Sequence, residues 1–270
     1  MREFDNKVAF VTGAASGIGF ALARAFGRAK MRVMLADIEA GTLNSAVAEL
    51  QGSGIDARGV ECDVTDYDSL QRAAAETLAV FGKVHLLCNN AGVVAGGPME
   101  VITLGDWDWV LGVELMSNIY AIKAFLPQIK LQAEGGHIVS VASMAGFVCV
   151  PGAGPHNVAK FGVLGLSETL AAELAGSSIG VSIVCCSFVR TRIDSSARNR
   201  PERYGQRTQT SDAADAQLAA LVLSGREPDE IAEKTMRGIR DNELYIFTHP
   251  ELRDVLEDRF QRILAAYPKT

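Results

Sequence analysis

From Val8 onward the chain alternates short apolar runs with longer amphipathic stretches almost to its end, and this alternation restricts the possible folds more than any other feature. Seven runs read as strands: Val8 to Thr12, Arg32 to Asp37, Gly59 to Asp63, Val84 to Asn89, His137 to Ser143, Val181 to Cys186 and Leu244 to Thr248. They are rich in Val, Ile, Leu and Cys without strict alternation, the pattern of strands covered on both faces. Apolar residues recurring at three and four mark helices from near Gly17, over Leu43 to Leu50 and over Ser69 to Phe81. Longer helices are predicted from about Leu104 to Leu131 and from Pro155 to Leu174, and a final one from Glu251 to Ala266 is opened by Pro250. Strand and helix alternating in this way build βαβ units around a parallel sheet with helices on both faces. No internal repeat or low-complexity linker interrupts the 270 residues, so a single domain over 1–270 is expected. The segment 190–227 breaks the pattern. It is mixed and polar, carries a helical patch from Ala213 to Leu223, and suits a substrate-binding lid, with Arg190 to Arg207 reading as a mobile loop.

Directly after the first strand comes Thr12-Gly13-Ala14-Ala15-Ser16-Gly17-Ile18-Gly19, a glycine-rich turn that opens a helix. Such a turn lets the backbone approach a pyrophosphate, while the helix N-terminus offers N–H groups and a positive dipole. The second strand ends in Asp37, near the spacing at which an acid accepts hydrogen bonds from an adenosine ribose. An acid there repels the extra phosphate of NADP, so NAD is the expected cofactor. Together these features predict an α/β fold of the Rossmann type, a doubly wound parallel sheet of about seven strands in a single domain.

The 26 basic and 32 acidic residues leave a net charge of −6, which disfavours a nucleic-acid surface. No stretch approaches the roughly 18 uncharged apolar residues of a membrane span. The opening MREFDNKVAFVTG lacks the basic region, apolar core and cleavage site of a secretory signal, so a cytoplasmic location is expected. Five cysteines, an odd count without CxxC spacing, read as reduced and mostly buried thiols; Cys149 and Cys186 are weak candidates for chemistry. His85, His137 and His249 show no metal spacing and read as satisfied or surface histidines, so no metal is expected. Trp107 and Trp109 read as packing residues.

The spacing TGxxxGxG, with Cys62-Asp63-Val64 and Asn89-Asn90-Ala91-Gly92 after later strands, resembles the short-chain dehydrogenase/reductase family over roughly Lys7 to Tyr267. That resemblance implies a cofactor cradle of Gly13, Ser16, Gly17, Ile18, Gly19 and Asp37. It places Asp63 and Val64 at the adenine, Asn90 along the ribose with Ala91 and Gly92 beside it among the cofactor-binding residues, Lys160 at the nicotinamide ribose, and Val189 and Thr191 near the carboxamide. It also implies a dimer or tetramer paired through the two longest helices. Met144, Phe147, Val148 and Val150 would lie along the substrate pocket, which implies an apolar or aromatic small molecule.

The reacting centre departs from the family pattern of Asn, Ser, Tyr and Lys. Ser143 is present at the end of its strand, and Lys160 is present; His156 stands at the tyrosine position, thirteen residues after Ser143 and four before Lys160. A spacing of four puts His156 and Lys160 on one helix face. Glu114, in Val113-Glu114-Leu115, stands where the family places asparagine, and can pair with Lys160 or orient His156. Cys185-Cys186-Ser187 replaces a common Pro-Gly pair. A nearby ammonium and a cationic nicotinamide penalise imidazolium and favour neutral imidazole, a competent base near neutral pH. The leading expectation is an NAD-dependent oxidoreductase of a secondary alcohol or ketone, with His156 moving the hydroxyl proton, Ser143 polarising the oxygen and Glu114 tuning the pair. A non-redox enzyme on the same fold (lyase, dehydratase, epimerase or cyclase) and a catalytically inactive nucleotide-binding protein are the alternatives.

Overall fold

The first apolar run folds as β1 (Val8–Thr12), buried at every residue, and the glycine-rich turn beyond it opens α1 (Gly17–Arg28). The computed structural model describes residues 1–268; positions 269–270, the end of the domain expected over 1–270, lie outside the described residues. The chain continues through β2 (Arg32–Asp37), α2 (Ala40–Gly52), β3 (Ala57–Glu61), α3 (Tyr67–Phe81) and β4 (Leu86–Asn89). A long helix follows in three parts, α4 (Leu104–Leu111), a π-helical segment Gly112–Met116, and α5 (Ser117–Leu131). After β5 (Gly136–Val141), α6 (Gly154–Glu173) and β6 (Ile179–Cys185) come α7 (Asp212–Leu223), α8 (Pro228–Asp241), β7 (Tyr245–Phe247) and α9 (Arg253–Ala265).

The seven strands form one parallel sheet in the order β3-β2-β1-β4-β5-β6-β7. The predicted Rossmann-type architecture is therefore the observed one. Strand order reverses between β1 and β4, which leaves a crevice beyond their carboxyl ends, where ligands of open α/β sheets bind. Side chains alternate across the sheet: Ala9, Val11, Leu35 and Val184 face a core built with Leu22 and Phe26 of α1, Leu43 and Leu50 of α2 and Ile231 and Ile239 of α8. Val8, Phe10, Met34 and Leu87 face the opposite core, with Leu70 of α3, Val110 of α4, Phe125 of α5 and Leu170 of α6. Phe10 and Phe125 meet with ring centroids 4.3 Å apart, and each fully buried side chain of this size contributes roughly 1.5–3 kcal/mol.

Local chemistry sets the element ends. Asp66 accepts a hydrogen bond from the Asp68 amide at the start of α3, and Gly82 ends that helix at φ 77°. Thr103 accepts from the Asp106 amide and starts α4. Leu104–Leu131 has the length and apolarity of a membrane span, yet its apolar character has a core origin: Val110, Ala121, Phe125 and Ile129 press it onto the sheet, and it carries charged Glu114 in its interior.

Several elements differ from the sequence reading, three of them in ways that matter for the site or the core. β3 lies two residues earlier, because its register with β2 pairs Val33 with Ala57 and Asp37 with Glu61, so Asp63 sits in the turn beyond the strand. β5 ends at Val141, and Ser143 is not its last residue but the cap of a short 3-10 turn, Met144–Gly146. Helix α8 is missing from the reading altogether, although Ile231, Thr235, Met236 and Ile239 are buried at helical spacing and it packs on α1.

Candidate active site

The crevice between β1 and β4 is shaped by glycines at positions where a side chain would be strained or crowded. Gly13 and Gly17 adopt φ of 61° and 57°, the left-handed region. A Cβ on Gly19 would lie 2.2 Å from the Gly13 carbonyl oxygen and 2.4 Å from the Asn90 amide nitrogen, so α1 can approach the turn this closely only without one. The Thr12 hydroxyl accepts from the Asn90 and Ala91 amides at 2.9 and 3.1 Å, and Asn90 Nδ2 donates to the Thr12 and Gly13 carbonyls at 2.9 and 3.1 Å. Asn90 lines the cleft, but its side chain braces the glycine turn.

Ser16 at the start of α1 makes no side-chain cap, and the first turn holds no acid. Backbone donors and a positive helix end therefore face the cleft, which is the chemistry a pyrophosphate requires. Ser16, Gly17 and Ile18 line it together with Asp37, Asp63, Val64, Ala91, Gly92 and Thr191. Asp37 ends β2, and its carboxylate accepts from the amides of Ala15 at 2.9 Å and Glu39 at 3.0 Å. These residues fit a dinucleotide, with small backbone-lined space at the phosphates and a carboxylate at the ribose edge. Asp63 is bound on both oxygens, by the Thr65 amide and hydroxyl and by Arg203 at 2.8 Å. Burial pushes its carboxyl up, but those bonds and the guanidinium outweigh burial and hold it below the usual range. Gly19 lies behind the turn and packs it without lining the cleft.

A second cavity of about 390 Å³ adjoins the first, sharing Ile18, Asn90, Gly92 and Thr191. Ser143, His156, Lys160 and Glu114 meet on its wall, which also includes Val189. Ser143 is extended and its Oγ accepts from the Ala145 amide at 3.1 Å. One turn of α6 separates His156 from Lys160, and Glu114 reaches both from the π-helical segment. Its carboxylate lies 2.8 Å from His156 Nδ1 and 3.5 Å from Lys160 Nζ, and Nζ also donates to the Val141 carbonyl at 3.0 Å. The extra residue per turn in a π segment shifts side chains relative to a regular helix, and such segments recur at functional sites. Glu114 is 1% exposed. Burial would push its carboxyl up, but the charges of His156 and Lys160 outweigh that and hold it below the usual range.

His156 Nδ1 meets the carboxylate and Nε2 has no partner among the described residues; in the neutral ring this contact places the hydrogen on Nδ1 and leaves Nε2 as the acceptor nitrogen. Met144, Val148 and Val150 line the cavity as expected. Phe147 does not. It turns away to pack on Tyr245 and Phe247, with centroids 6.1 and 5.5 Å apart. Sequence reading missed Leu218 and Val222 of α7, and Leu252 and Val255 near the start of α9, all of which wall the cavity. The apolar residues of α7 follow no single stripe, so nothing in the sequence says which of them face inward.

The stretch Arg190 to Arg207, read as a mobile loop, folds instead into 3-10 turns Ile193–Asn199 and Glu202–Tyr204 held by ion pairs. Arg198 pairs with Glu39 at 2.5 Å and Arg203 with Asp63, and the buried pair Arg200–Asp106 at 2.6 Å pins the strap to α4. Asp106 also accepts from the Thr208 amide at 2.8 Å and hydroxyl at 2.6 Å. The remaining histidines are structural. His85 Nδ1 accepts from the Val8 amide, His137 contacts Ser182, and His249 accepts from the Ser187 amide. Burial pushes the Cys186 thiol up and leaves it unreactive, and Cys149 is exposed away from this chemistry. Trp109 is buried beneath Arg200, whose guanidinium lies 5.3 Å from its ring centroid. Among the described residues no cluster has the composition of a metal site.

The family model described as short chain dehydrogenase matches residues 7–202. The chain is 40% identical over 266 residues to a C alpha-dehydrogenase of a Sphingobium species, covering 98% of this chain and 87% of that protein. It is 32% identical over 272 residues to a CLA biosynthesis dehydrogenase/reductase of Lactiplantibacillus plantarum, covering 98% and 95%. A short chain dehydrogenase/reductase from Burkholderia phymatum, solved in complex with NAD, superposes with a TM-score of 0.96 at 39% identity, covering 100% of this chain and 98% of that one. With the parallel sheet, the glycine cradle and the adjoining polar centre already in place, these matches show that the chain belongs to the short-chain dehydrogenase/reductase family and is an oxidoreductase of that type.

Proposed function

We propose that this enzyme is an NAD(H)-dependent oxidoreductase acting on a hydroxyl or carbonyl group of an apolar or aromatic small molecule, with His156 as its acid–base residue. The observation that carries this reading is the buried Glu114 carboxylate, which contacts both His156 and Lys160 on the wall of an apolar cavity beside the glycine-turn cleft. Bound NAD supplies the hydride acceptor or donor. The Ser143 hydroxyl donates to the substrate oxygen, and His156 Nε2 takes the hydroxyl proton in oxidation or returns it in reduction. As the ring gains that proton, Glu114 stabilises the imidazolium through Nδ1–H, the role a buried carboxylate plays behind a catalytic histidine. Lys160 holds the nicotinamide ribose. In this reading His156 and Glu114 take the places of the family's tyrosine and asparagine.

Gly13, Ser16, Gly17, Ile18 and Gly19 form the pyrophosphate cradle. Asp37 binds the adenosine ribose and repels a 2′-phosphate; Asp63 and Val64 sit at the adenine; Asn90, Ala91 and Gly92 follow the ribose; Val189 and Thr191 border the carboxamide. The strap and α7, within 190–227, act as the substrate lid. A dimer or tetramer in the cytoplasm completes the proposal, supported by exposed Leu104, Leu131 and Val158 on the long helices and by five free thiols. Sedimentation showing a monomer at micromolar concentration would remove the oligomer from it.

The direct test is incubation with NADH and a panel of apolar and aromatic ketones, following absorbance at 340 nm and product mass, with His156→Phe as control. NADH oxidation with a two-hydrogen gain in product, abolished in His156→Phe while NADH binding persists, is the expected result. Undiminished turnover in the variant refutes the role of His156, and conversion without NADH consumption refutes the redox assignment.

A further inference from the structure

The adenosine end of the cleft carries a second acid, Glu39, beyond the one that the sequence singled out. Resting on the NAD(H) reading above, we infer that Glu39 acts with Asp37 to exclude 2′-phosphorylated dinucleotides, by occupying two strap arginines, Arg192 and Arg198, that would otherwise bind that phosphate.

Glu39 stands two residues after Asp37, and its amide donates to Asp37 Oδ1 at 3.0 Å, so both carboxylates border one rim of the cleft. Ile38, Glu39, Arg192 and Arg198 line that cleft with Asp37. Arg198 donates to Glu39 Oε1 from Nε at 3.0 Å and from Nη2 at 2.5 Å. Its Nη1 is taken by the Arg192 and Ser195 carbonyls at 3.1 and 3.0 Å and by Ser195 Oγ at 3.1 Å. Each nitrogen of that guanidinium is thus engaged inside the protein. Asn199 adds a bond to Glu39 Oε1 at 2.7 Å, and Arg192 Nη1 lies 3.7 Å from Oε2. Burial works against the charge on Glu39, but Asn199 and Arg198 draw its carboxyl down to about 2, so it is ionised at neutral pH.

Two arginines at the ribose edge are ordinarily the means of recognising a 2′-phosphate, because the guanidinium fork matches phosphate oxygens in pairs. With Glu39 ionised, the group Asp37, Glu39, Arg192 and Arg198 is neutral and its best phosphate donors are engaged. Without that charge the group is net positive, and the Arg198 guanidinium keeps only neutral acceptors. A purely structural tie between Glu39 and the strap would behave differently: breaking it would weaken both dinucleotides alike and leave their ratio unchanged.

The experiment measures dissociation constants of NADH and NADPH by fluorescence titration for the wild type, Glu39→Gln and Glu39→Gln/Arg198→Met. The expected result is a shift of the NADPH-to-NADH affinity ratio toward NADPH on the order of tenfold in Glu39→Gln, about one screened charge interaction, reversed in the double variant. A ratio within twofold of the wild type in Glu39→Gln, or a shift that survives removal of Arg198, overturns the inference. The wild-type ratio tests the underlying reading separately: equal affinity for both dinucleotides there refutes the NAD(H) preference, whatever the variants do.

Discussion

Replacing Glu114 with Gln removes one charge from the buried centre while keeping side-chain shape and an acceptor oxygen. Lys160 stays behind at 5% exposure, with the Val141 carbonyl as its remaining partner. Removing one member of a buried ion pair typically costs 3–5 kcal/mol, and the retained acceptors place Glu114→Gln at the low end, about 3 kcal/mol. In a chain of this size each kcal/mol moves Tm by roughly 2 °C, so the variant should melt about 6 °C lower. Equilibrium urea unfolding of cofactor-free protein at neutral pH measures the loss directly. In Glu114→Gln/Lys160→Met the loss should be smaller than the sum of the two single losses, because no unpaired charge remains. The pH dependence has a defined sign. Since the folded-state carboxyl is held below its ordinary range, its stabilisation is complete above that range, about 4.3, and disappears as pH falls through the lower folded value. The gap between wild type and Glu114→Gln should therefore narrow in acid, as pH falls below the ordinary carboxylate range. A variant melting within ~1 °C of the wild type, or double-variant losses that simply add, would refute the argument that this charge pair is energetically coupled.

Three further outcomes are expected. Gly19→Ala forces a Cβ to within 2.2 Å of the Gly13 carbonyl; an overpacking cost of about 1–3 kcal/mol should weaken NADH binding on the order of tenfold, and unchanged fluorescence titration would contradict it. Arg200→Met leaves Asp106, which is 0% exposed, without its guanidinium; a loss of about 3 kcal/mol should show as new protease cleavage within 193–208, and an unaltered digestion pattern would count against the pinning role. Val222→Trp projects into the apolar cavity from α7. It should raise KM severalfold for bulky aromatic ketones more than for small ones, and equal effects on both would place Val222 outside the substrate's reach.

Most of the architecture is legible along the chain because the signals are local. Apolar runs such as Val8–Thr12 and Arg32–Asp37 appear where expected, since strands covered on both faces carry continuous apolar sequence. Gly13 and Gly17 occupy left-handed conformations that their place in a strand-to-helix turn already implies. The pairing of His156 with Lys160 is equally visible, because a spacing of four on a helix is a geometric statement. Strand ends are less legible: β3 shifts by two residues, since register with β2 decides which residues pair. Phe147 and Met144 read alike in sequence, yet one packs on Tyr245 and the other lines the cavity, and nothing in their neighbours distinguishes them.

Parallel sheet, phosphate turn and the acid at the end of β2 follow from periodicity, glycine conformation and spacing, each acting within a few residues. The meeting of Glu114 with His156 spans 42 positions. It depends on how the long helix, with its π segment, lies across α6, and that is set by packing on the sheet. The same holds for the strap: Arg198 and Arg203 look like a polar loop until the fold brings Glu39, 159 positions away, and Asp63, 140 positions away, within hydrogen-bond reach. Charges that distant in sequence acquire partners only through the crossing of whole elements, since ion pairing acts over a few ångströms and local pattern carries no information about which elements cross.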